Sequence, residues 1–316
     1  MRDLMVLVTG GAGFIGSHFV NRLMNEDYKV VILDNFFAGE IGNVQHHLGS
    51  DNFHLVRGDL RNLEDVRKAV RDVDVVFHLA AIVNVPLSIE DPLLVNDVNI
   101  RGTLNLLEAC LKEKIERFVY VSTCAVYGEA RYLPINEEHP IMPLSPYGIS
   151  KFTAEHYCKI FHKIHGLKTV GLRLFNVYGP RQTEGPYSGV ITQFISRLRQ
   201  GKSPIIYGDG EQTRDFVYAK DVVEACMLSL SSQNCVGEII NIGTGKSTTI
   251  NELAKVLIEA FGETRLKPEY TAGRAGDIRN SYADVGKAER LLGYRPRIKL
   301  EEGIRWLLQD LDVKTG

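Results

Sequence analysis

Residues 9 to 16 read Thr9-Gly10-Gly11-Ala12-Gly13-Phe14-Ile15-Gly16 and follow the apolar run Met5-Val6-Leu7-Val8. Glycines this dense weaken any regular element, so the backbone here must turn sharply or lie against something. Gly10, Gly13 and Gly16 keep a G-x-x-G-x-x-G spacing, while Gly11, Gly13 and Gly16 also satisfy G-x-G-x-x-G. In the first strand-to-helix turn of an open α/β sheet, such glycines allow a tight turn and let the backbone approach a pyrophosphate, whose charge is favoured at a helix N-terminus. Phe14 and Ile15 then belong to the same binding turn. Asp34 stands at the end of the second apolar run, 18 positions past Gly16. A carboxylate there accepts hydrogen bonds from the adenosine ribose hydroxyls and repels a 2'-phosphate, which favours NAD over NADP. The competing reading is a plain glycine turn with Asp34 capping a loop, and the strand–turn–helix context weighs against it. Asn35 adjoins this carboxylate. Asp59 and Leu60, after the third strand, fall where the adenine lies, although alone the pair reads better as a strand-end cap.

Outward from this turn, short β-branched runs alternate with amphipathic segments. Strands are expected at Val6–Thr9, Lys29–Leu33, Phe53–Arg57, Val73–Ala80, Arg117–Ser122 and Lys168–Phe175. Helices are expected from Gly13 to about Asn25, at Leu63–Val70, around Asn99–Lys112 and at Pro146–His165. Nearly continuous apolar strands separated by helices indicate a parallel sheet covered on both faces, a Rossmann-type doubly wound α/β domain. After about residue 175 the pattern loosens into Gly/Pro-rich loops, with a strand at Glu238–Ile242 returning to the main sheet. The expected division is residues 1–174 plus about 216–243 for the cofactor, and about 175–215 plus 244–316 for a smaller mixed α/β substrate domain.

The chain has 316 residues, 44% hydrophobic and 24% charged, with a formal net charge of −2. That balance is globular, and no dense Lys/Arg run tracks a nucleic-acid backbone, so no nucleic-acid partner is expected. The first apolar run is a strand's length and leads straight into glycines, unlike a signal peptide, and no stretch reaches bilayer-spanning length. No membrane association is expected. Five cysteines without a C-x-x-C pair fit a reducing, cytoplasmic setting, and no metal site is expected. Gly245-Lys246-Ser247 imitates the end of a P-loop, but Ile240 occupies the place of its first glycine, so no ATP site is inferred.

Ser145-Pro146-Tyr147-Gly148-Ile149-Ser150-Lys151 starts a helix, with Ser145 as N-cap and Pro146 at its first position. Tyr147 and Lys151 share one face. A nearby ammonium favours tyrosinate, which makes this phenol a candidate general base. The spacing alone is weak: with 13 Tyr in the chain and Lys at about one residue in twenty, on the order of 0.6 such pairs arise by chance. A partly buried helix-surface pair is the bland alternative.

With these stretches in view, the chain resembles the extended short-chain dehydrogenase/reductase family and, within it, the UDP-hexose 4-epimerases. The resemblance runs over nearly the whole chain: T-G-G-A-G-F-I-G at 9–16, H-L-A-A at 78–81, S-T-C-A-V-Y-G at 122–128, Y-x-x-x-K at 147–151, R-L-F-N-V-Y-G-P-R at 173–181, G-D-G-E-Q-T-R-D-F-V-Y at 208–218, N-I-G-T-G at 241–245 and G-R-A-G-D at 273–277. It implies that Tyr147 is the catalytic base and acid, that Lys151 orients the nicotinamide ribose and lowers the tyrosine pKa, and that Thr123 hydrogen-bonds the reacting sugar hydroxyl. It implies further that Leu79, Ala80 and Ala81 line the cofactor, that Asn99 and Ser122 help seat its nicotinamide half, and that Phe175 and Asn176 line the junction of cofactor and sugar. Arg214, Arg274 and Asp277 match positions holding the nucleotide diphosphate and ribose, where guanidinium forks suit phosphate oxygens. Tyr207, Val83 and Asn84 are expected on the substrate side.

The same scaffold runs several reactions, so the site must decide between them. In related 4,6-dehydratases the residues after the threonine are Asp-Glu, and decarboxylases of UDP-glucuronate keep the glutamate. Here Cys124 and Ala125 stand instead, which disfavours both reactions and leaves oxidation and re-reduction at carbon 4 of a UDP-hexose. Ser281, four residues past Asp277, matches the wall beside the sugar's 2-substituent, and a small residue there leaves room for an N-acetyl group. A serine capping a loop is the other reading. Val83 replaces a lysine found in some glucose-type epimerases. A UDP-glucuronate 4-epimerase, a decarboxylase or dehydratase, a net oxidoreductase and a non-catalytic NAD-binding sensor stay as alternatives. Family members dimerise through two helices, here about 99–113 and 147–165, whose apolar residues Leu104, Leu107, Leu111, Phe152, Ile160 and Phe161 exceed one buried stripe. A homodimer is therefore expected.

Overall fold

The computed structural model describes residues 4–182, 189–273 and 276–315. Among them, parallel strands β1 (Met5–Thr9), β2 (Lys29–Asp34), β3 (Phe53–Arg57), β4 (Val75–His78), β5 (Arg117–Thr123), β6 (Thr169–Leu174) and β7 (Ile239–Ile242) form one sheet in the order β7-β6-β5-β4-β1-β2-β3. Strand order reverses between β1 and β4, which pair from Val6 opposite Val75 to Thr9 opposite His78. That reversal opens a crevice at the carboxyl ends of the strands, where open α/β sheets bind ligands.

The apolar runs bury both faces. Val6 and Val8 of β1, Val30 and Ile32 of β2, and Val119 and Val121 of β5 point into one layer with Phe19, Val20 and Leu23 of helix α1 (Phe14–Asn25). The alternate residues Leu7, Val31, Leu33, Phe118 and Tyr120 point into the other. There they meet helices α2 (Leu63–Val70), α3 (Gly102–Lys112) and α4 (Pro146–His165) through Val66, Leu106, Cys110 and Ala154. The first layer is completed by helix α5 (Ala219–Ser231). Burial on both faces explains why the strands read as continuous rather than alternating hydrophobic runs. A separate apolar cluster joins the short strands Ile205–Tyr207 and Phe216–Tyr218 to helices Val190–Arg199, Ile250–Ala260 and Leu300–Thr315.

Two local differences from the sequence reading have a physical cause. The strand expected at 73–80 is only Val75–His78, because Leu79 and Ala80 turn to line the crevice, with the Leu79 N–H donating to the Thr9 carbonyl at 3.2 Å. The chain is also helical before Asn99: Val85–Glu90 and Pro92–Asn96 are short helices, and the second runs through a π turn at Asp97–Arg101 into α3. Pro86 and Pro92 look like breakers in sequence but sit in first turns, capped by Asn84 and Asp91, where the missing N–H costs nothing.

The glycine turn is dictated by close approach. Gly10 has φ +70°, and a Cβ on it would lie 2.9 Å from the Ala80 Cα. A Cβ on Gly16 would lie 2.1 Å from the Gly10 carbonyl oxygen. Because that obstacle is backbone, Gly16→Ala has no cheap relaxation; it is expected to cost ~3 kcal/mol or more and lower the thermal midpoint by several degrees in a melting curve.

Candidate active site

A cavity of about 410 Å3 occupies the crevice, running from Asp34 and Asn35 across the glycine turn to Ser122, Tyr147 and Lys151. Helix α1 begins at Gly13 without a side-chain cap, which leaves its first N–H groups facing this space for an anion. Asp34 is buried at the end of β2. Its Oδ2 accepts from the Ala12 N–H at 2.9 Å and its Oδ1 from the Phe36 N–H at 2.8 Å. Burial raises its pKa, and those two bonds work against the rise. Gly39 makes room for it: a Cβ there would stand 3.0 Å from both carboxylate oxygens. At the far rim, Arg61 donates to both oxygens of Asp59 at 2.9 and 2.8 Å and holds its carboxyl well below the usual range, while Asn35 donates to Asp59 at 2.9 Å.

Of the residues expected at the cofactor, all but Asn99 lie on this wall. Asn99 is buried behind it. Its Oδ1 accepts from the Ile82 N–H at 2.8 Å, and its Nδ2 donates to the Ile82 carbonyl at 3.0 Å and to Ser150 Oγ at 2.9 Å. Instead of seating the nicotinamide directly, Asn99 ties the loop after β4 to the start of α4; Val98 lines the cavity in its place. Phe37, Gly39, Arg61 and Gln182 also line it and were missed, though Arg61, two residues past Asp59, carried a readable signal.

His78 holds the floor together. Thr103 Oγ1 spends its proton on the Asn99 carbonyl at 2.6 Å, so His78 Nε2 is the donor to Thr103 at 2.8 Å. Nδ1 then accepts from Thr9 Oγ1 at 2.7 Å, and that oxygen accepts the Ala80 N–H at 3.2 Å. Burial pushes the imidazole down to about 3, so it stays neutral in this relay.

Helix α4 sets the Tyr/Lys pair. Ser145 Oγ accepts the Gly148 N–H at 3.1 Å, and the helix ends at Gly166 with φ +73°. A Cβ on Gly148 would lie 2.9 Å from the Ala125 carbonyl, so this glycine lets the helix close on the turn bearing Thr123. Tyr147 and Thr123 line the cavity together, and Thr123 Oγ1 accepts the Ala125 N–H at 3.2 Å. Burial pushes the Tyr147 phenol up to about 12, with the neighbouring Thr123 hydroxyl acting the other way. It also pushes Lys151 down to about 7, with the ammonium 4.3 Å above the Tyr120 ring. Burial of both groups therefore works against the lowered tyrosine pKa expected from the motif. Beside the pair, Ser122 Oγ is buried without a partner. An unpaired hydroxyl, an uncapped helix start and Asp34 at the other end fit a bound dinucleotide.

A second cavity of about 320 Å3 adjoins the first, and Thr123, Phe175, Val177 and Gln182 line both. Asn176, whose Oδ1 is buried and unpartnered, and Ser281 lie on its wall. Cys124 lines the same wall as Ser281, and burial pushes its thiol up to about 11. Arg214 lines the cavity and pairs with Asp277 at 2.6 Å. The expected contacts Asn84, Tyr207 and Asp277 lie on neither wall: Asn84 Oδ1 accepts the Leu87 N–H at 2.8 Å as a helix cap, Tyr207 ends a short strand, and Asp277 meets the cavity only through its pairing with Arg214. Val83, 62% exposed, faces the cofactor cavity instead. Arg274 lies outside the described residues.

A doubly wound sheet with a dinucleotide-shaped cavity at its switch point and a Tyr/Lys helix beside it defines a short-chain dehydrogenase/reductase scaffold. The family described as GDP-mannose 4,6 dehydratase matches residues 7–307, and the chain belongs to it, within the extended short-chain dehydrogenases/reductases. Its members are nucleotide-sugar epimerases, dehydratases and decarboxylases. A Methanocaldococcus jannaschii protein provisionally named UDP-glucose 4-epimerase is 45% identical over 303 residues, covering 95% of this chain and 96% of its own. The Thermotoga maritima UDP-glucose 4-epimerase, solved with UDP-glucose, superposes with TM-score 0.93 at 38% identity over 99% of this chain and 100% of that one. The Methanobrevibacter ruminantium UDP-N-acetylglucosamine 4-epimerase, solved with UDP-N-acetylmuramic acid, gives 0.94 at 40% over the same shares. Other relatives are named for other chemistry, including a zebrafish (Danio rerio) UDP-glucuronic acid decarboxylase at 34%. Solved neighbours holding NAD include a UDP-glucose 4-epimerase and a dTDP-glucose 4,6-dehydratase.

The lowered Lys151 fixes the sign of one pH effect. Between about 7 and the ordinary lysine range the unfolded chain binds the proton and the folded one has shed it, so stability attributable to this group rises with pH across that window and is lost below it. Melting curves of nucleotide-free protein from pH 7 to 10 are expected to show wild type gaining on Lys151→Met, with a slope approaching ~1.4 kcal/mol per pH unit.

Proposed function

We propose that this chain is an NAD-dependent 4-epimerase of UDP-hexoses, acting on UDP-glucose/UDP-galactose and on the N-acetylhexosamine forms. The carrying observation is the composition of the sugar-side wall. Among its described residues there is no carboxylate; Cys124 and Ala125 stand beside Thr123, and the Cys124 thiol is held neutral. Elimination of water needs an acid–base group next to the sugar beyond Tyr147, and the described residues of this wall offer none. In this reading residues 1–174 with about 216–243 hold the cofactor, and about 175–215 with 244–316 hold the nucleotide sugar.

Bound NAD supplies the hydride acceptor and, once reduced, the hydride donor at carbon 4. Thr123 holds the 4'-hydroxyl and Tyr147 removes its proton, returning it after the 4-keto sugar has presented its other face. Lys151 would hold the nicotinamide ribose, and positive charge beside Tyr147 would favour tyrosinate and offset the desolvation that raises it. Asn176 and Ser122 gain the partners they lack. Arg214, with Arg274, holds the diphosphate. Ser281 leaves space beside the 2-substituent. Arg214 is the only cation on the described sugar-side wall and is already paired with Asp277, which supports a neutral hexose over a uronate. The intact Thr123–Tyr147–Lys151 cluster speaks against a non-catalytic sensor.

The chain is proposed to act as a homodimer in the cytoplasm. Leu107 and Phe161 belong to the core, but Ile149, Tyr157, Ile160 and Ile164 leave an apolar stripe exposed along α4. No described helix is long and apolar enough to cross a membrane.

Proton NMR of purified protein with UDP-glucose, UDP-N-acetylglucosamine or UDP-glucuronate, without added cofactor, is expected to show the galacto product from the first two and no steady release of NADH. Tyr147→Phe is expected to lower kcat by ~10²–10⁴-fold while NAD stays bound. Ser281→Tyr is expected to remove turnover of the N-acetyl sugar and spare that of UDP-glucose; equal loss of both would take Ser281 out of sugar selection.

A further inference from the structure

Beneath the reacting pair lies a polar cluster that the chemistry above does not use. Arg173, on β6, and Glu155, on α4, are 5% and 1% exposed. The guanidinium grips the carboxylate with both forks, Nε to Oε2 at 2.9 Å and Nη2 to Oε1 at 2.6 Å. Its remaining fork, Nη1, donates to Tyr127 Oη at 2.8 Å, with the guanidinium carbon 4.8 Å from the Tyr127 ring centroid. Tyr127 Oη in turn donates to Asn241 Oδ1 of β7 at 2.6 Å. Asn241 Nδ2 then reaches the Ile135 carbonyl at 2.9 Å.

The connectivity is what gives this cluster a task. Glu155 sits one helical turn beyond Lys151 and two beyond Tyr147, on the same face of α4. Tyr127 directly follows the turn Cys124–Val126 that Thr123 caps. One guanidinium therefore holds both halves of the reacting group: the helix carrying Tyr147 and Lys151 through Glu155, and the turn carrying Thr123 through Tyr127. A buried ion pair is weak evidence for stability, since well-packed apolar residues often serve as well. Its fixed two-pronged geometry does what packing cannot, setting the rotation and depth of α4 against β6.

We propose that Arg173, clamped between Glu155 and Tyr127, is a positioning residue that fixes the distance between Thr123 and the Tyr147/Lys151 pair. The inference rests on the reading of those three as the reacting group.

The test compares holoenzymes carrying Tyr127→Phe alone and Glu155→Met with Arg173→Met together. Tyr127→Phe is expected to lower kcat by ~10²-fold, with KM and bound NAD nearly unchanged. The double variant removes both buried charges, so it is expected to melt no lower than wild type and still turn over slowly. A purely structural pair behaves differently: activity returns with stability in the double variant, and that result, or wild-type kcat in Tyr127→Phe, overturns the proposal. Should wild type epimerise none of the three UDP-sugars, the functional reading fails on its own. Amide hydrogen exchange at residues 124–127 and 145–151 of Tyr127→Phe then decides: faster exchange confined to those segments supports the clamp, and unchanged exchange overturns it.

Discussion

The whole site hangs on one backbone contact, the seating of Gly16 against the Gly10 carbonyl at the switch point of the sheet. No side chain fits between them, and none fits between Gly10 and Ala80. That closeness brings the start of α1 to the end of β1 and leaves its N–H groups open to the crevice. It also sets the ends of β1 and β4 side by side, so that Thr9, His78 and Thr103 form one directional relay with a neutral imidazole at its centre. The cofactor wall, the loop after β4 and the helix that follows are all referred to this contact.

Burial then governs the electrostatics. The dry floor on which Tyr147 and Lys151 stand favours the uncharged form of each, the opposite of what a catalytic tyrosinate requires. Unpaired acceptors at Ser122 and Asn176 lie at the same junction. Buried polar groups without partners cost free energy, and such groups in native structures call for an explanation. Here a ligand that brings donors offers one, and under the proposed reading its binding satisfies those oxygens and favours the tyrosinate form of Tyr147.

Within a family that epimerises, dehydrates and decarboxylates, the reaction turns on a few wall positions rather than on the sheet. Cys124 and Ala125 follow Thr123 in the turn it caps, and Cys124 shares the second cavity's wall with Ser281. Under the proposed reading, these two residues bear on both the reaction type and the space beside the sugar.

Much of this was legible in the sequence because it is local. The glycine spacing, the Ser145-Pro146 helix start and the Tyr147/Lys151 face depend on residues a few positions apart, and the doubly wound sheet follows from continuous apolar runs whose burial on both faces leaves no other use for them. Other features came only from the tertiary structure. Asn99 and Asn84 carry side chains suited to a ligand, yet the fold turns one to the loop after β4 and the other to a helix cap. Arg173, Glu155, Tyr127 and Asn241 are unremarkable apart in the chain and become one network when β6, α4 and β7 are laid together. Lys151 and Tyr147 advertise a charged pair, and desolvation pushes each toward its neutral form. Residue spacing along a chain fixes turns, caps and faces; which distant groups meet, and how much water is left between them, is decided by the register and depth of packing.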